Sequence, residues 1–306
     1  MAFTAKDVAN LRERTGCGMM DCKKALTDAD GNFEKAIDLL REKGLAASAK
    51  KSGRIASEGL VYAYVENNVG VIVEVNAETD FVAKNTDFIA FVESVAKTIA
   101  ENSPVDIDAL NDLKAVGSEM TVGELLREKI LVIGENMKIR RFEKYEGAVV
   151  SYVHAGGKIG VLVKFDTTNE VASKEAFRSF GKDIAMQIAA VSPQYISSDE
   201  VPAEVVEKEK SILTEQLKND EKNANKPPQV IEKIVTGRIG KFFSDVCLLD
   251  QTFVKEQDIK VTDYIDRTAK ELGGDIKISS FVRFEKGEGL EKKEDNFADE
   301  VASMMK

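Results

Sequence analysis

Few side chains in this sequence could support nucleophilic or metal chemistry. There is one histidine, His154, and there are three cysteines, at positions 17, 22 and 247. A single histidine excludes sites built from several histidines and leaves few groups that titrate near neutral pH. The first two cysteines are separated by four residues, which is not zinc-knuckle spacing, and no companion ligands surround them. We therefore predict no bound metal and no cofactor.

A thiol enzyme that pairs one of the cysteines with His154 is the catalytic alternative that these residues leave open. Cys247 lies in an apolar run at residues 246–249, where a buried and unreactive thiol is expected. The sequence also contains no P-loop pattern. Gly156-Gly157 falls in a predicted hairpin turn and not between a strand and a helix, so phosphate binding there is not expected.

The most informative residues are Asp80 and Phe81, a carboxylate beside a large apolar ring at a predicted strand-to-helix junction. Thr79 or Asp80 could cap the helix while Phe81 packs on it, but capping does not explain the size of the ring. An exposed ring beside a carboxylate is typical of an anchor residue that enters a pocket on a partner protein. Residues Thr79 to Val82 are therefore the candidate contact segment.

The elements around this segment occur twice in the chain, which provides an internal comparison. Two strands joined by an Asn- or Gly-containing turn, followed by a helix, are predicted at 58–99 and again at 146–188. The copies also end in similar sequences, at 141–147 and 283–289, which indicates a duplication. In this alignment 79–82 falls opposite 169–172, with Phe81 opposite Val171. Loss of side-chain volume in a packed core leaves a cavity and destabilises the fold. The smaller valine therefore suggests that packing does not require the ring.

The helix and turn signals predict an α+β protein with four parts. Residues 1–54 form a three-helix, UBA-like module with a linker, whose third helix ends at Gly44. Core subdomains with antiparallel sheets follow at 55–144 and 145–289, and the second contains an inserted helical hairpin at about 192–245. Residues 290–306 form a C-terminal amphipathic helix. Capping-box spacing marks helix starts at Thr4 and at Thr121.

Two surfaces have more than one interpretation at this stage. Of the adjacent methionines Met19 and Met20, one is expected to fill the core and the other to be exposed, because neighbouring helical residues rarely both point inward. The apolar stripe of the predicted hairpin can pack within the hairpin, or bind a second copy of the chain or a partner helix.

Composition restricts the partners further. The chain of 306 residues has a net charge of −10, which argues against general nucleic-acid binding because that requires a basic face. No apolar run is long enough for a membrane span, and the N-terminus does not have the pattern of a signal peptide. A sparse, odd set of cysteines is typical of a reducing compartment. We expect a cytoplasmic protein without nucleic-acid or membrane partners.

Over essentially its whole length, the chain resembles the elongation factor Ts family of bacteria. Four segments carry the resemblance: TGCGMMDCKKAL at 15–26, ETDFVAKN at 78–85, IGENM at 133–137, and His154 followed by IGVLV at 159–163. Two positions depart from the family pattern. Cys17 stands where alanine is common, and Thr252 stands where the motif usually has proline.

The resemblance implies a guanine nucleotide exchange factor that acts by binding and not by covalent chemistry. It implies that the chain binds GDP-bound elongation factor Tu, that Asp80 and Phe81 disturb the Mg²⁺ and phosphate site of this GTPase, and that GDP leaves and GTP rebinds. The implied contacts outside the 79–82 segment are Met19, Met20, Lys23, Ile133, Gly134, His154 and Val254. An adaptor or holdase that uses the hairpin is the remaining alternative, and it would bind a partner without changing nucleotide release.

Overall fold

The computed structural model describes residues 3–220 and 226–292. The predicted C-terminal helix lies outside these residues, apart from its first few positions, and so does the 221–225 segment of the predicted hairpin. Three helices open the chain: α1 (Ala5–Thr15), α2 (Met19–Asp28) and α3 (Phe33–Lys51). The predicted start of α1 is confirmed, because Thr4 and Asp7 form a complete capping box.

Two structural repeats follow the N-terminal helices. The elements of the first are β1 (Glu58–Glu66), β2 (Val69–Ala77), α4 (Asp80–Ala83), α5 (Thr86–Asn102), α6 (Ile107–Asp112), α7 (Val122–Ile133) and β3 (Met137–Glu146). The elements of the second are β4 (Ala148–His154), β5 (Ile159–Asp166), α8 (Asn169–Ala172), α9 (Glu175–Val191), α10 (Ala203–Asn219), α11 (Pro228–Val246), β6 (Thr252–Phe253), β7 (Glu256–Lys260), α12 (Val261–Leu272) and β8 (Lys277–Glu285). Each repeat has a three-stranded antiparallel sheet, with strand orders β1-β2-β3 and β4-β5-β8. The predicted α+β class is confirmed.

The inserted helices α10 and α11 pack against each other. Their contact buries a small apolar cluster of Leu213, Leu217, Val235 and Ile239. Part of the apolar stripe that the sequence shows is therefore buried within the hairpin, whereas Ile212 and Val230 are exposed. Binding of a second copy or of a partner helix stays a prediction.

Two predictions for the N-terminal helices are wrong. Met19 and Met20 are both exposed, because the buried face of α2 consists of Cys22, Ala25 and Leu26. Helix α3 also does not end at Gly44 but continues to Lys51. Gly44 is buried against α7, where an added Cβ would lie 3.5 Å from the carbonyl oxygen of Arg127. The glycine lies inside the helix, where a Cβ would make an ordinary contact with α7, and it does not terminate the helix.

The two sheets pack face to face around a shared apolar cluster that includes Val61, Ile72 and Leu162. Glycine stands on each central strand where the other sheet approaches. An added Cβ on Gly70 would lie 2.4 Å from a methyl carbon of Val149, and one on Gly160 would lie 2.5 Å from a methyl carbon of Val61. The duplicated strands thus use equivalent glycines to bring the sheets together.

We expect Gly160→Ala to destabilise the protein by about 1–3 kcal/mol, because the new methyl group overpacks the contact between the sheets. Urea unfolding followed by circular dichroism measures this change. Gly237→Ala is the matched control. Gly237 lies in α11 with open space around its Cβ position, so alanine there should stabilise the helix slightly. Equal effects at the two glycines would contradict the close approach of the sheets.

The structure corrects the alignment of the two repeats by one residue. In each sheet the register shifts at one point on the central strand, after Glu74 in β2 and after Lys164 in β5. These residues are therefore equivalent. The connection to the next helix is one residue shorter in the second repeat, since α4 begins at Asp80 and α8 begins at Asn169. The prediction assumed a constant offset across this connection.

In the corrected alignment Phe81 lies opposite Glu170, and the prediction that it lies opposite Val171 is wrong. Val171 is instead the counterpart of Val82, and both valines are buried in the cores of their repeats. Phe81 and Glu170 are both exposed. The fold thus accepts a charged residue at the position of the ring. An exposed glutamate there shows more clearly than a valine would that packing does not require Phe81.

The ends of the repeats also align differently from the prediction. Phe142 pairs with Val73 in the first sheet, and Phe281 pairs with Val163 in the second. Phe142 therefore corresponds to Phe281, and the similar sequences at 141–147 and 283–289 are not structurally equivalent.

A buried carboxylate joins the first sheet to the segment that follows β8. The side chain of Glu74 is fully buried and accepts hydrogen bonds from the backbone N–H of Gly287 at 2.8 Å and from Asn76 Nδ2 at 3.0 Å. It also forms ion pairs with Arg140 Nη1 at 3.1 Å and with Arg141 Nε at 2.7 Å. Because Gly287 follows the last strand of the second repeat, this network connects both repeats.

Candidate protein-interaction site

Helix α4 presents Phe81 to solvent. The helix is separated from β2 by Glu78 and Thr79 and has only four residues. Val82 packs into the core of the first repeat, whereas Phe81 is 79% exposed, the largest exposed fraction among the Phe and Tyr residues that the structure describes. A ring of this size in water is unfavourable on its own and is typical of a surface that becomes buried in a complex.

Asp80 lies beside the ring and does not cap the helix. Its carboxylate forms an ion pair at 2.8 Å with Lys84, four residues later. The hydrogen bond from Lys84 lowers the pKa of Asp80, so the residue is charged at neutral pH. The capping interpretation is thus replaced by an exposed carboxylate that has one lysine partner.

Thr79 also makes no capping bond, although it occupies the position before α4. Its backbone N–H and its hydroxyl Oγ1 both donate to the carboxylate of Glu135, at 3.0 Å and 2.7 Å. Glu135 follows Ile133 and Gly134, two of the predicted contact residues. The structure therefore brings the 79–82 and 133–134 segments together.

The loop that holds Glu135 is itself fixed by its neighbour Asn136. The backbone N–H of Asn136 donates to the carboxylate of Glu78, and its side chain donates to the carbonyl oxygen of Arg54 at 2.8 Å. Arg54 also forms an ion pair with Glu78 at 3.4 Å. The contact segment is in this way hydrogen-bonded to the region that follows α3.

The other predicted contact residues on the N-terminal side lie on connected elements. Met20 is 72% exposed, and Met19 and Lys23 are also exposed on the first turns of α2. The N-terminal helices pack on Leu131 and Val132 of α7. Gly134 ends that helix in the left-handed conformation and is exposed, while Ile133 packs partly against the first core.

His154 and Val254 lie in the second repeat, and both are exposed. His154 ends β4, where its Nδ1 lies 2.9 Å from the hydroxyl of Tyr152. Val254 lies in the turn between β6 and β7, and its backbone N–H donates to Gln187 Oε1 at 2.8 Å. Each residue is thus hydrogen-bonded to its surroundings and exposed to solvent.

The cysteines do not form a nucleophilic site. All three are buried, and burial raises the pKa of each thiol, that of Cys247 to about 11. A thiol with a raised pKa has little thiolate at neutral pH and reacts slowly. This is evidence against the thiol-enzyme alternative. Across residues 3–220 and 226–292, no three His, Cys, Asp or Glu side chains converge as metal ligands.

Comparison with known proteins decides the family. A sequence model of the family described as Elongation factor TS matches residues 78–288. The chain belongs to the elongation factor Ts family. The elongation factor Ts of Syntrophotalea carbinolica is 50% identical over all of both chains, and that of Clostridium kluyveri is 50% identical over 98% of this chain and 97% of its own. The elongation factor Ts of Magnetococcus marinus is 48% identical over 100% of this chain and 99% of its own.

Membership in the elongation factor Ts family makes this chain a translation elongation factor of the nucleotide exchange class, as the sequence predicts. The matched region includes the 78–85 and 133–137 motifs and His154, and the full-length relatives also cover the N-terminal helices. None of the helices in the described part of the chain is long and apolar enough to cross a bilayer.

One residue of the site was missed by sequence reasoning. Glu135 lies within the 133–137 motif, but nothing in the local pattern indicates that it contacts Thr79. A comparison of the repeats could have found it. Glu135 comes directly after the glycine that ends α7, and the residue after the corresponding glycine of α12 is Gly274, which has no side chain.

Proposed function

We propose that this chain binds elongation factor Tu in its GDP-bound form and accelerates the release of GDP, after which GTP rebinds. The observation that supports this most strongly is the exposed Phe81, held on an anchored four-residue helix where the second repeat has Glu170. Packing does not explain the ring, but contact with a partner does.

In this proposal Phe81 and Asp80 enter the GTPase domain near its Mg²⁺ ion. Mg²⁺ neutralises the phosphate charge of the nucleotide, so a disturbance of its surroundings weakens GDP binding. Because coupling between two ligands is reciprocal, GTP rebinding releases the exchange factor by the same free energy. The chain acts by binding alone, without a covalent intermediate.

The other contact residues divide between two regions of the partner. Met19, Met20 and Lys23 of α2, with Ile133 and Gly134 after α7, bind the GTPase domain. His154 and Val254 of the second repeat bind a more distant domain. Binding at two separated surfaces increases affinity through effective concentration and orients Phe81 towards the nucleotide site.

A fluorescent-GDP assay tests this function. Elongation factor Tu is loaded with the fluorescent nucleotide and mixed with excess unlabelled GDP and increasing amounts of the chain. The rate of fluorescence change should increase with concentration and reach a maximum. If the chain binds elongation factor Tu but leaves this rate unchanged, it is an adaptor and not an exchange factor.

A further inference from the structure

We infer that Glu135 is a positioning residue, which holds the helix of Phe81 in the orientation that nucleotide release requires. The inference rests on the proposed function and adds to it a residue that does not itself need to touch the partner. It follows from the geometry of the Thr79–Glu135 contact, from the length of α4 and from a comparison of the two repeats.

The contact restrains both the backbone and the side chain of Thr79. The backbone N–H donates to one carboxylate oxygen of Glu135 and the hydroxyl donates to the other, at 3.0 Å and 2.7 Å. Both residues are half-buried, so water competes little for these charge-assisted bonds. Since Thr79 directly precedes α4, its restraint sets the direction in which the helix leaves the strand.

Helix α4 depends on such external contacts because it is very short. Four residues form about one turn, which is not stable in isolation. Val82 holds the helix on the core side, and the N–H of Asn85 donates to the carbonyl oxygen of Val82 at its far end. Glu135 fixes the other end, at the start of the helix. The exposed ring of Phe81 therefore has a defined orientation before any partner binds, which lowers the entropy lost on binding.

The second repeat shows that the fold does not need this contact. Thr168, the counterpart of Thr79, caps its own helix by accepting a hydrogen bond from the N–H of Val171 at 3.3 Å. The counterpart of Glu135 is Gly274, and an added Cβ there would lie 2.7 Å from a methyl carbon of Val171. The Glu135 carboxylate and the Phe81 ring thus occur together in the first repeat, and the second repeat has neither at the equivalent positions.

The loop of Glu135 is also rigid enough to position another element. The neighbouring Asn136 is buried and is hydrogen-bonded through its backbone N–H to Glu78 and through its side chain to Arg54. Gly134 ends α7 with a hydrogen bond to the carbonyl oxygen of Ile130. Glu135 therefore extends from a fixed base and not from a mobile surface loop.

A double-mutant cycle with Phe81→Ala and Glu135→Ala tests the inference in the fluorescent-GDP assay. We expect Glu135→Ala alone to lower the maximal release rate about ten-fold, because a small misplacement of a reacting element has large kinetic effects. The half-saturating concentration should change by no more than about two-fold, since the other contacts remain. In the Phe81→Ala background, Glu135→Ala should have no further effect, because a residue that acts through the ring has nothing left to position.

Thr79 and Thr168 supply the conservative and the matched controls. Thr79→Val removes the hydroxyl donor and should reproduce part of the loss, and Thr79→Ser should restore most of it. Thr168→Val makes the same change at the start of α8 and should leave release unchanged. This comparison also shows whether a lost threonine hydroxyl acts only through helix stability.

Two results would overturn the inference alone: an unchanged maximal rate in Glu135→Ala, or an equal loss with and without the Phe81 ring. Either result is compatible with the exchange function, because the unmodified chain would still accelerate GDP release. Failure of the unmodified chain to accelerate release would instead overturn the proposed function, and this inference with it. The two failures are therefore distinguishable in one set of measurements.

Discussion

Phe81→Glu is expected to lower the stimulated GDP release rate by about 30-fold or more, which corresponds to the loss of at least about 2 kcal/mol that is usual for a central anchor residue. The fold should remain intact, because the second repeat already has Glu170 at the equivalent position. The substitution gives the first repeat a residue that the same structural element accepts elsewhere in this chain. Release of fluorescent GDP measures the activity, and urea unfolding measures the stability.

The second repeat also provides the controls for this experiment. Glu170→Ala changes an exposed residue of α8 and should leave both release and stability nearly unchanged. Combining Phe81→Glu with Glu170→Phe moves the ring to the other repeat and should not restore release, because the ring then lies in the wrong part of the molecule. Wild-type release by Phe81→Glu, at normal stability, would show that the ring has no role in exchange.

Glu74→Ala is expected to reduce the free energy of unfolding by about 3–5 kcal/mol, since it removes a fully buried carboxylate that accepts from two arginines and from a buried backbone N–H. Arg140, Arg141 and the N–H of Gly287 would all lose an acceptor. Urea unfolding followed by circular dichroism measures the loss. Glu119→Ala is the matched control, because its ion pair with Lys114 is exposed and screened by water, so its loss should leave the free energy of unfolding nearly unchanged.

The pH dependence of stability distinguishes a charged Glu74 from a merely well-packed one. Burial is the largest influence and raises its pKa, but the hydrogen bonds from Gly287, Asn76 and Arg141 together outweigh it, so the pKa lies below the ordinary 4.5. A carboxyl whose pKa is lowered on folding contributes stability above its unfolded pKa, and this stability is lost as the pH falls through the folded pKa. The stability difference between wild type and Glu74→Gln should therefore be largest near neutral pH and shrink below pH 4.5. A difference that does not change with pH would contradict the buried ion pair.

Interactions between residues close in sequence could be predicted well. The capping boxes at Thr4 and Thr121 are present in the structure, and the paired hairpins, each followed by a helix, lie where the alternation of apolar residues indicates. Caps and periodicity involve residues only a few positions apart, so the local pattern contains the necessary information. The family is also determined by the sequence, because its motifs extend over the chain and full-length relatives share about half of its residues.

Predictions that needed distances between elements were less reliable. The repeat pattern places Phe81 opposite Val171, because one residue is missing from the second strand-to-helix connection and the pattern does not show where such a change falls. The sequence predicts a helix end at Gly44 because glycine is common there, but the helix continues to Lys51 and buries Gly44 against α7. In both cases the same local sequence is compatible with two structures, which differ in how distant elements pack.

The sequence by itself determined the family, the α+β class and the duplication, and it predicts Asp80 and Phe81 as candidate contact residues. Only the tertiary structure showed that Phe81 is exposed on a helix of one turn, and that Thr79 binds Glu135, 56 positions away. It also showed that Glu74 binds the backbone of Gly287, 213 positions away. Such contacts depend on how two distant strands and helices are brought together. Many donors in the sequence could bind the carboxylates of Glu135 and Glu74. Only the packing of the chain brings one set of donors close enough.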